Sequence, residues 1–331
     1  MLQGEPIVRV TRGDLVESIH EVAACAIDDT GHVVYSAGTI DVPVYLRSSA
    51  KPFIAAAVVA AGAVERFGLE PHEIAVMSAS HTGEPFHVDA VRSILQKIGM
   101  GEDALQCGVH EPYNANVAQA LRERGITPTA VYNNCSGKHA GILGLCLLIG
   151  ADPATYLRAE NPAQQRILAL CARVSDEEEG RMPIAVDGCG IPVYATPLRN
   201  AARSFMRLAT LRELTDDDAR ALEVVRDAMI AHPEYVSGTN EFDTDLMLAA
   251  RGSIACKAGA EGVHGTAAIG HGGLAVKMID GASRGRAPAV LSMLRHLHWL
   301  DDNRLAKLSA FERPELRNRA GLRVGEVHAV V

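Results

Sequence analysis

Aromatic residues are scarce: they make up 4% of 331 residues, with a single Trp. The core must therefore be built from aliphatic and small side chains. Thirty glycines and alanine runs such as Ala55-Ala56-Ala57 suit elements that pack at close range. Lys and Arg form no run, and the net charge is −8. Nucleic acid and anionic membrane surfaces are thereby poor partners. The longest apolar stretch, Ile54 to Val64, is too short to span a bilayer. The first residues, Met1-Leu2-Gln3-Gly4-Glu5-Pro6, have neither the basic region nor the apolar core of a signal peptide, so the expected location is the cytoplasm. Seven cysteines occur singly, with no C-x-x-C pair, which argues against a disulfide framework.

What is present is a patterned chain. Residues 7 to 36 alternate in the manner of antiparallel strands, with Asp28-Asp29-Thr30-Gly31 as a hairpin turn and the charged first strand at a sheet edge. Apolar periodicity predicts helices after Pro52, over about 87–98, 114–124, 142–149, 162–174, 197–210, 217–231 and 288–300. Strand-like segments return at Ile254–Val263, 266–270 and 273–279. No repeat or linker divides the chain. The expectation is an α+β fold with one domain over 1–331: an antiparallel sheet from about 7–46 and 253–280 with the C-terminal helix, and a mostly helical part over about 54–250.

Four polar, glycine- or proline-bearing segments interrupt the apolar pattern: Arg47–Pro52, Ser78–Pro85, Asn133–Gly141 and Asp187–Pro192. A fifth is Lys257-Ala258-Gly259. Such segments are where sites form. Ser48 and Lys51, three apart in a first helical turn, share a face, and Pro52 is tolerated there. A serine becomes a nucleophile when a lysine of depressed pKa takes its proton, so Ser48, Ser80, Lys51 and Lys257 are candidates for acyl transfer. Cys135 and Cys189 are soft ligands on two Gly-rich turns, and Lys138, His139 or Asp187 can complete a tetrahedral metal site. A cysteine nucleophile with His139 as base is a third reading. His81 and His271 are read as hydrogen-bonded structural histidines in preference to supporting residues of the site, and Asn133 and Asn134 are read equally as turn residues or as parts of the site.

Taken together and in order, Arg47-Ser48-Ser49-Ala50-Lys51-Pro52-Phe53, Ser78-Ala79-Ser80-His81-Thr82-Gly83-Glu84, Asn134-Cys135-Ser136-Gly137-Lys138-His139, Asp187-Gly188-Cys189-Gly190-Ile191-Pro192 and Lys257-Ala258-Gly259-Ala260-Glu261-Gly262 resemble the signature segments of the rhizobial-type, or class 3, L-asparaginases. The resemblance implies a fold like that of serine β-lactamases, penicillin-binding proteins and serine-dependent glutaminases. It implies hydrolysis of L-asparagine to L-aspartate and ammonia, two Ser–Lys tandems (Ser48 with Lys51, Ser80 with Lys257), a zinc ion held by Cys135, Lys138 and Cys189, and a homodimer. Arg47, His139 and Asp187 are then candidates for recognising substrate charge. The rival readings are another Ser–Lys amidase, such as a glutaminase or β-lactamase-like enzyme, and a non-catalytic amino-acid-binding protein.

Overall fold

The structure, a computed structural model, describes residues 1–331. Its strands are β1 (Glu5–Arg12), β2 (Leu15–Asp28), β3 (Val33–Ala37), β4 (Pro43–Tyr45), β5 (Ile184–Val186), β6 (Pro192–Pro197), β7 (Ile254–Gly259), β8 (Val263–Ala268), β9 (Gly272–Met278), β10 (Glu315–Arg317) and β11 (Arg323–Ala329). The principal helices are α1 (Lys51–Ala60), α2 (Ala63–Phe67), α3 (Pro71–Met77), α4 (Pro85–Lys97), α5 (Ala115–Glu123), α6 (Ser136–Ile149), α7 (Pro162–Ser175), α8 (Leu198–Thr210), α9 (Asp216–Ala231), α10 (Pro233–Val236), α11 (Phe242–Ala250) and α12 (Arg286–His296). The chain divides into two compact units. The first holds residues 1–49, 196–210 and 245–331; the second holds 50–195 and 211–244.

The first unit is organised by an antiparallel sheet of order β10-β11-β1-β2-β9-β8-β7, with β3 also paired to β2. Strands from both ends of the chain thus share one sheet. Alternation along β2 sends Ala23, Cys25 and Ile27 to one face and Val22, Ala24 and Ala26 to the other. All six are buried, because helices cover both faces. On β9, Gly273 lies under α8: a Cβ there would meet the Met206 nitrogen at 2.1 Å and the Ala202 oxygen at 2.2 Å. Gly265 of β8 likewise makes room for the Phe205 ring. Met278, of opposite parity, packs instead beneath Gly285, where α12 begins. The expected edge position of the first strand is corrected here. β11 pairs with β1 in the register Val8↔Ala329, Arg9↔His328 and Val10↔Val327, so the edge passes to β10. The sequence Arg323-Val-Gly-Glu-Val-His-Ala hid this strand, because it is charged and half-buried rather than apolar.

The second unit is mostly helical, with the short β5–β6 hairpin. Its central helix, α6, is apolar on all sides and is buried from Ser136 through Cys146 among α1, α3, α4 and α7. Gly137 lets α6 approach α3 closely: a Cβ there would lie 2.2 Å from the Val76 carbonyl oxygen. Pro71–Met77 is helical, opened by a Glu70/Glu73 capping box.

Candidate active site

Each polar segment ends on a defined element. Within the second unit, Lys51 opens α1, Ser80 follows α3, Cys135 and Lys138 lie at the start of α6, and Cys189 sits on the β5–β6 turn. That turn is closed by bonds from Asp187 N to Ile191 O and from Gly190 N to Asp187 O, both 2.9 Å. The mouth of α6 is shaped by Asn133. Its Oδ1 accepts the Cys135 N–H at 2.8 Å, and its Nδ2 donates to the Cys107 carbonyl at 2.9 Å.

Lys51 is buried, and its Nζ lies 3.0 Å from Ser80 Oγ. It also donates to the carbonyls of Ala79 and of Asn134, the latter at 3.4 Å. Burial pushes its pKa down, an effect partly opposed by Cys135. A neutral lysine amine has two N–H groups and one lone pair. With two carbonyls, the Ser80 hydroxyl and the Cys135 sulfur around it, the amine donates to Ser80 Oγ as it stands and offers that hydroxyl a lone pair only once deprotonated. This is the geometry of a base beside a hydroxyl.

Lys138 is also buried, but its Nζ lies 2.9 Å from Cys189 Sγ. Burial alone would lower its pKa; the sulfurs of Cys135 and Cys189 outweigh burial and raise it, with a smaller contribution from Asp187. The Cys189 S–H donates to Cys135, which holds the Cys135 thiol well below its usual range and pushes Cys189 up. Two sulfurs and an amine therefore converge in a buried place, one sulfur already favouring the thiolate. That donor set fits a soft divalent metal such as zinc, provided that Lys138 sheds its proton on binding.

His139 is buried, with Nδ1 2.7 Å from the Tyr156 hydroxyl. Tyr156 Oη also accepts the Gln106 N–H at 2.7 Å, so its own proton is directed at Nδ1. The tautomer this selects carries a proton on Nε2, and Nε2 has no partner in the protein.

His81 and His87 form a second polar cluster. Their rings stack at 4.9 Å. His81 Nδ1 accepts the Gly83 N–H at 3.2 Å, so Nε2–H donates to Ser136 Oγ at 2.9 Å. His87 Nδ1 accepts the Glu84 N–H, and Nε2–H donates to the Glu234 carbonyl at 2.8 Å. Burial pushes the pKa of His81 well down and that of His87 down to about 4, so both rings are neutral. Glu84 Oε2 accepts from Thr82 Oγ1 and Thr239 N, both at 2.9 Å. The Ser78–Pro85 segment is thus held by its own hydrogen bonds and by residues about 150 positions later.

In the first unit, Arg47 has φ 51°, a left-handed conformation costly for a residue with a Cβ. Ser48 follows in the single 3-10 turn Arg47–Ala50 that leads into α1. Gly259, two residues beyond the buried Lys257, lies against this turn. A Cβ there would meet the Leu46 oxygen at 2.7 Å and the Ser49 nitrogen at 3.2 Å. So this unit holds Arg47, Ser48 and the Lys257 strand together, and the other holds Lys51, Ser80, Cys135, Lys138, His139, Asp187 and Cys189. His271 stacks on Trp299 at 6.0 Å. Tyr156, His110 and the Ala79 and Asn134 carbonyls carried no signal in the sequence, since main-chain acceptors and lone loop residues have no pattern.

No helix is long and apolar enough to cross a membrane. Comparison with curated proteins finds no match. Among solved structures, Mglu in its native form is 15% identical over 85% of this chain and 66% of that chain, with a TM-score of 0.46. Mglu in its glutamate form is 16% identical over 91% and 66%, also with a TM-score of 0.46. The chain therefore spans slightly less than two thirds of the length of those proteins. The pattern of the L-asparaginase II family, by contrast, matches residues 8–329 and so takes in both units and every segment described above. The protein belongs to the L-asparaginase II family.

Proposed function

We propose that the protein hydrolyses L-asparagine to L-aspartate and ammonia by acyl transfer, on a fold of the serine β-lactamase and penicillin-binding-protein type. The observation that carries this reading is the buried Lys51 amine 3.0 Å from the Ser80 hydroxyl, which supports Ser80 as the proton relay; the pairing of Lys51 with Ser48 comes from the family resemblance. In the proposed reaction Ser48 Oγ attacks the side-chain amide carbon while its proton passes to Lys51. The tetrahedral intermediate collapses to an ester, the leaving amine takes the proton by way of Ser80, and ammonia departs. Water then cleaves the ester and releases aspartate. Lys257 is assigned to Ser80 as the second tandem.

Cys135, Lys138 and Cys189 would hold the zinc ion, which supplies a Lewis-acid anchor for the polar end of the substrate. The unpartnered Nε2–H of His139 is suited to a carboxylate or carbonyl oxygen, and Arg47 and Asp187 are assigned to the charged α-groups. Seven free, buried cysteines suit a reducing cytoplasm, and a homodimer is proposed as the working form.

Ammonia release tests the reading when L-asparagine, L-glutamine and a penicillin are offered separately. Turnover of asparagine alone is expected; preference for glutamine would favour a glutaminase. Trapping the acyl group in Ser48→Ala and Ser80→Ala proteins assigns the nucleophile. An adduct on Ser80 in the Ser48→Ala protein would exchange the roles of the two serines.

A further inference from the structure

The loop Cys107–Asn114 has no part in the mechanism above, yet it docks on the two asparagines that precede the metal-site helix. Asn133 Nδ2 reaches the Cys107 and Gly108 carbonyls at 2.9 and 3.2 Å. Asn134 is gripped by His110. The His110 Nδ1 atom lies 2.6 Å from the Glu111 carbonyl, which can only accept, so Nδ1 carries the ring proton. Nε2 is then an acceptor, and it faces the Asn134 N–H at 3.0 Å. On the other side of the same residue, the Asn134 carbonyl accepts the His81 N–H at 3.2 Å and Lys51 Nζ at 3.4 Å. The ring of His110 is itself oriented by Tyr113, stacked at 4.7 Å and 20°.

We propose that His110 is a positioning residue for Lys51: by holding the Asn134 N–H it keeps the Asn134 carbonyl on the lysine amine and so keeps the amine directed at Ser80. Without the imidazole acceptor the Asn134 N–H loses its partner, and the Asn134 carbonyl keeps its aim only through the His81 N–H and the Asn133 side chain on the same peptide. As that aim drifts, Lys51 loses one of the two carbonyls that hold its amine beside Ser80. The inference rests on Lys51 acting as the base in amide hydrolysis.

Two substitutions separate the acceptor from the packing. His110→Phe keeps a flat ring against Tyr113 and removes the acceptor. His110→Gln places an amide oxygen near the position of Nε2 and removes the ring. With L-asparagine as substrate, His110→Phe is expected to lower kcat roughly 10- to 100-fold with KM nearly unchanged, as a misplaced catalytic group does. His110→Gln is expected to recover most of that loss, and thermal unfolding of both proteins should stay close to wild type. Equal losses in the two variants, or wild-type kcat in His110→Phe, overturn the inference. Lys51→Met is run alongside. If it is inactive while His110→Phe is fully active, only the positioning role fails; if Lys51→Met is fully active, the acyl-transfer reading fails and takes this inference with it.

Discussion

Lys51 and Lys138 are buried to the same degree, at 1% and 2% exposure, yet their surroundings push them in opposite directions. Around Lys51 the partners are two carbonyls, a hydroxyl and the Cys135 sulfur, which opposes the effect of burial only in part. Around Lys138 the Cys135 and Cys189 sulfurs both favour the charged amine, and Asp187 adds to them. Burial and the two sulfurs act on both lysines, but only at Lys138 do the sulfurs outweigh burial. In the proposed reaction the same residue type serves as a base in one place and as a metal ligand in the other.

The largest expected effect comes from exchanging each lysine for an uncharged isostere. Lys51→Met should lower kcat by roughly 10²- to 10⁴-fold, as expected for loss of a general base. Its zinc content, measured on the purified protein, should be unchanged. Lys138→Met should lose zinc and keep the Lys51 and Ser80 geometry. If both variants lose zinc and activity alike, the two surroundings are one functional unit and the contrast collapses.

A smaller effect is expected in stability against pH. His87 titrates near 6.5 when unfolded and near 4 when folded. Between those values the unfolded chain binds more protons, so stability falls as pH falls, and His87 adds no further loss below about pH 4. The shift corresponds to on the order of 3 kcal/mol. His81 acts in the same direction. Denaturant unfolding from pH 7 to 4 should show this slope and show it flattened in His87→Gln. An unchanged slope would mean that these neutral rings contribute nothing to acid sensitivity.

The smallest effect belongs to Asn133→Ala, which removes one side-chain bond to the Cys135 N–H and two loop bonds at the mouth of α6, costing about 1–2 kcal/mol. Chemical denaturation measures it. Zinc content should change little, since Cys135 and Lys138 remain on a helix buried along most of its length.

Local chemistry was legible wherever it is written in neighbouring residues. Pro52 lies in the first turn of α1, the caps Asn114, Asn161 and Thr215 open the helices that periodicity marks, and the polar heads fall at element ends. What stayed hidden depends on distant partners. β11 has no apolar alternation of its own and exists because β1 offers an edge. α8 comes from the middle of the chain yet covers the sheet of the first unit, because Gly265 and Gly273 leave space for it. The segment after α3 shows five polar residues. Nothing local reveals that Glu84 reaches Thr239, or that Asn134 lends its carbonyl to Lys51.

The pairing of β1 with β11 also sets a timetable for synthesis. Val8 meets Ala329 only after roughly 300 further residues have been made, which at about 5–20 residues per second takes on the order of 15–60 s. Most of the helical unit, residues 50–195, emerges in one continuous piece meanwhile. β1, β2 and β3 must wait as a bare meander, with Leu15 and Ile19 on its surface. A nascent chain of this protein should therefore lean on ribosome-associated chaperones through its first forty residues rather than through the segments that carry its chemistry.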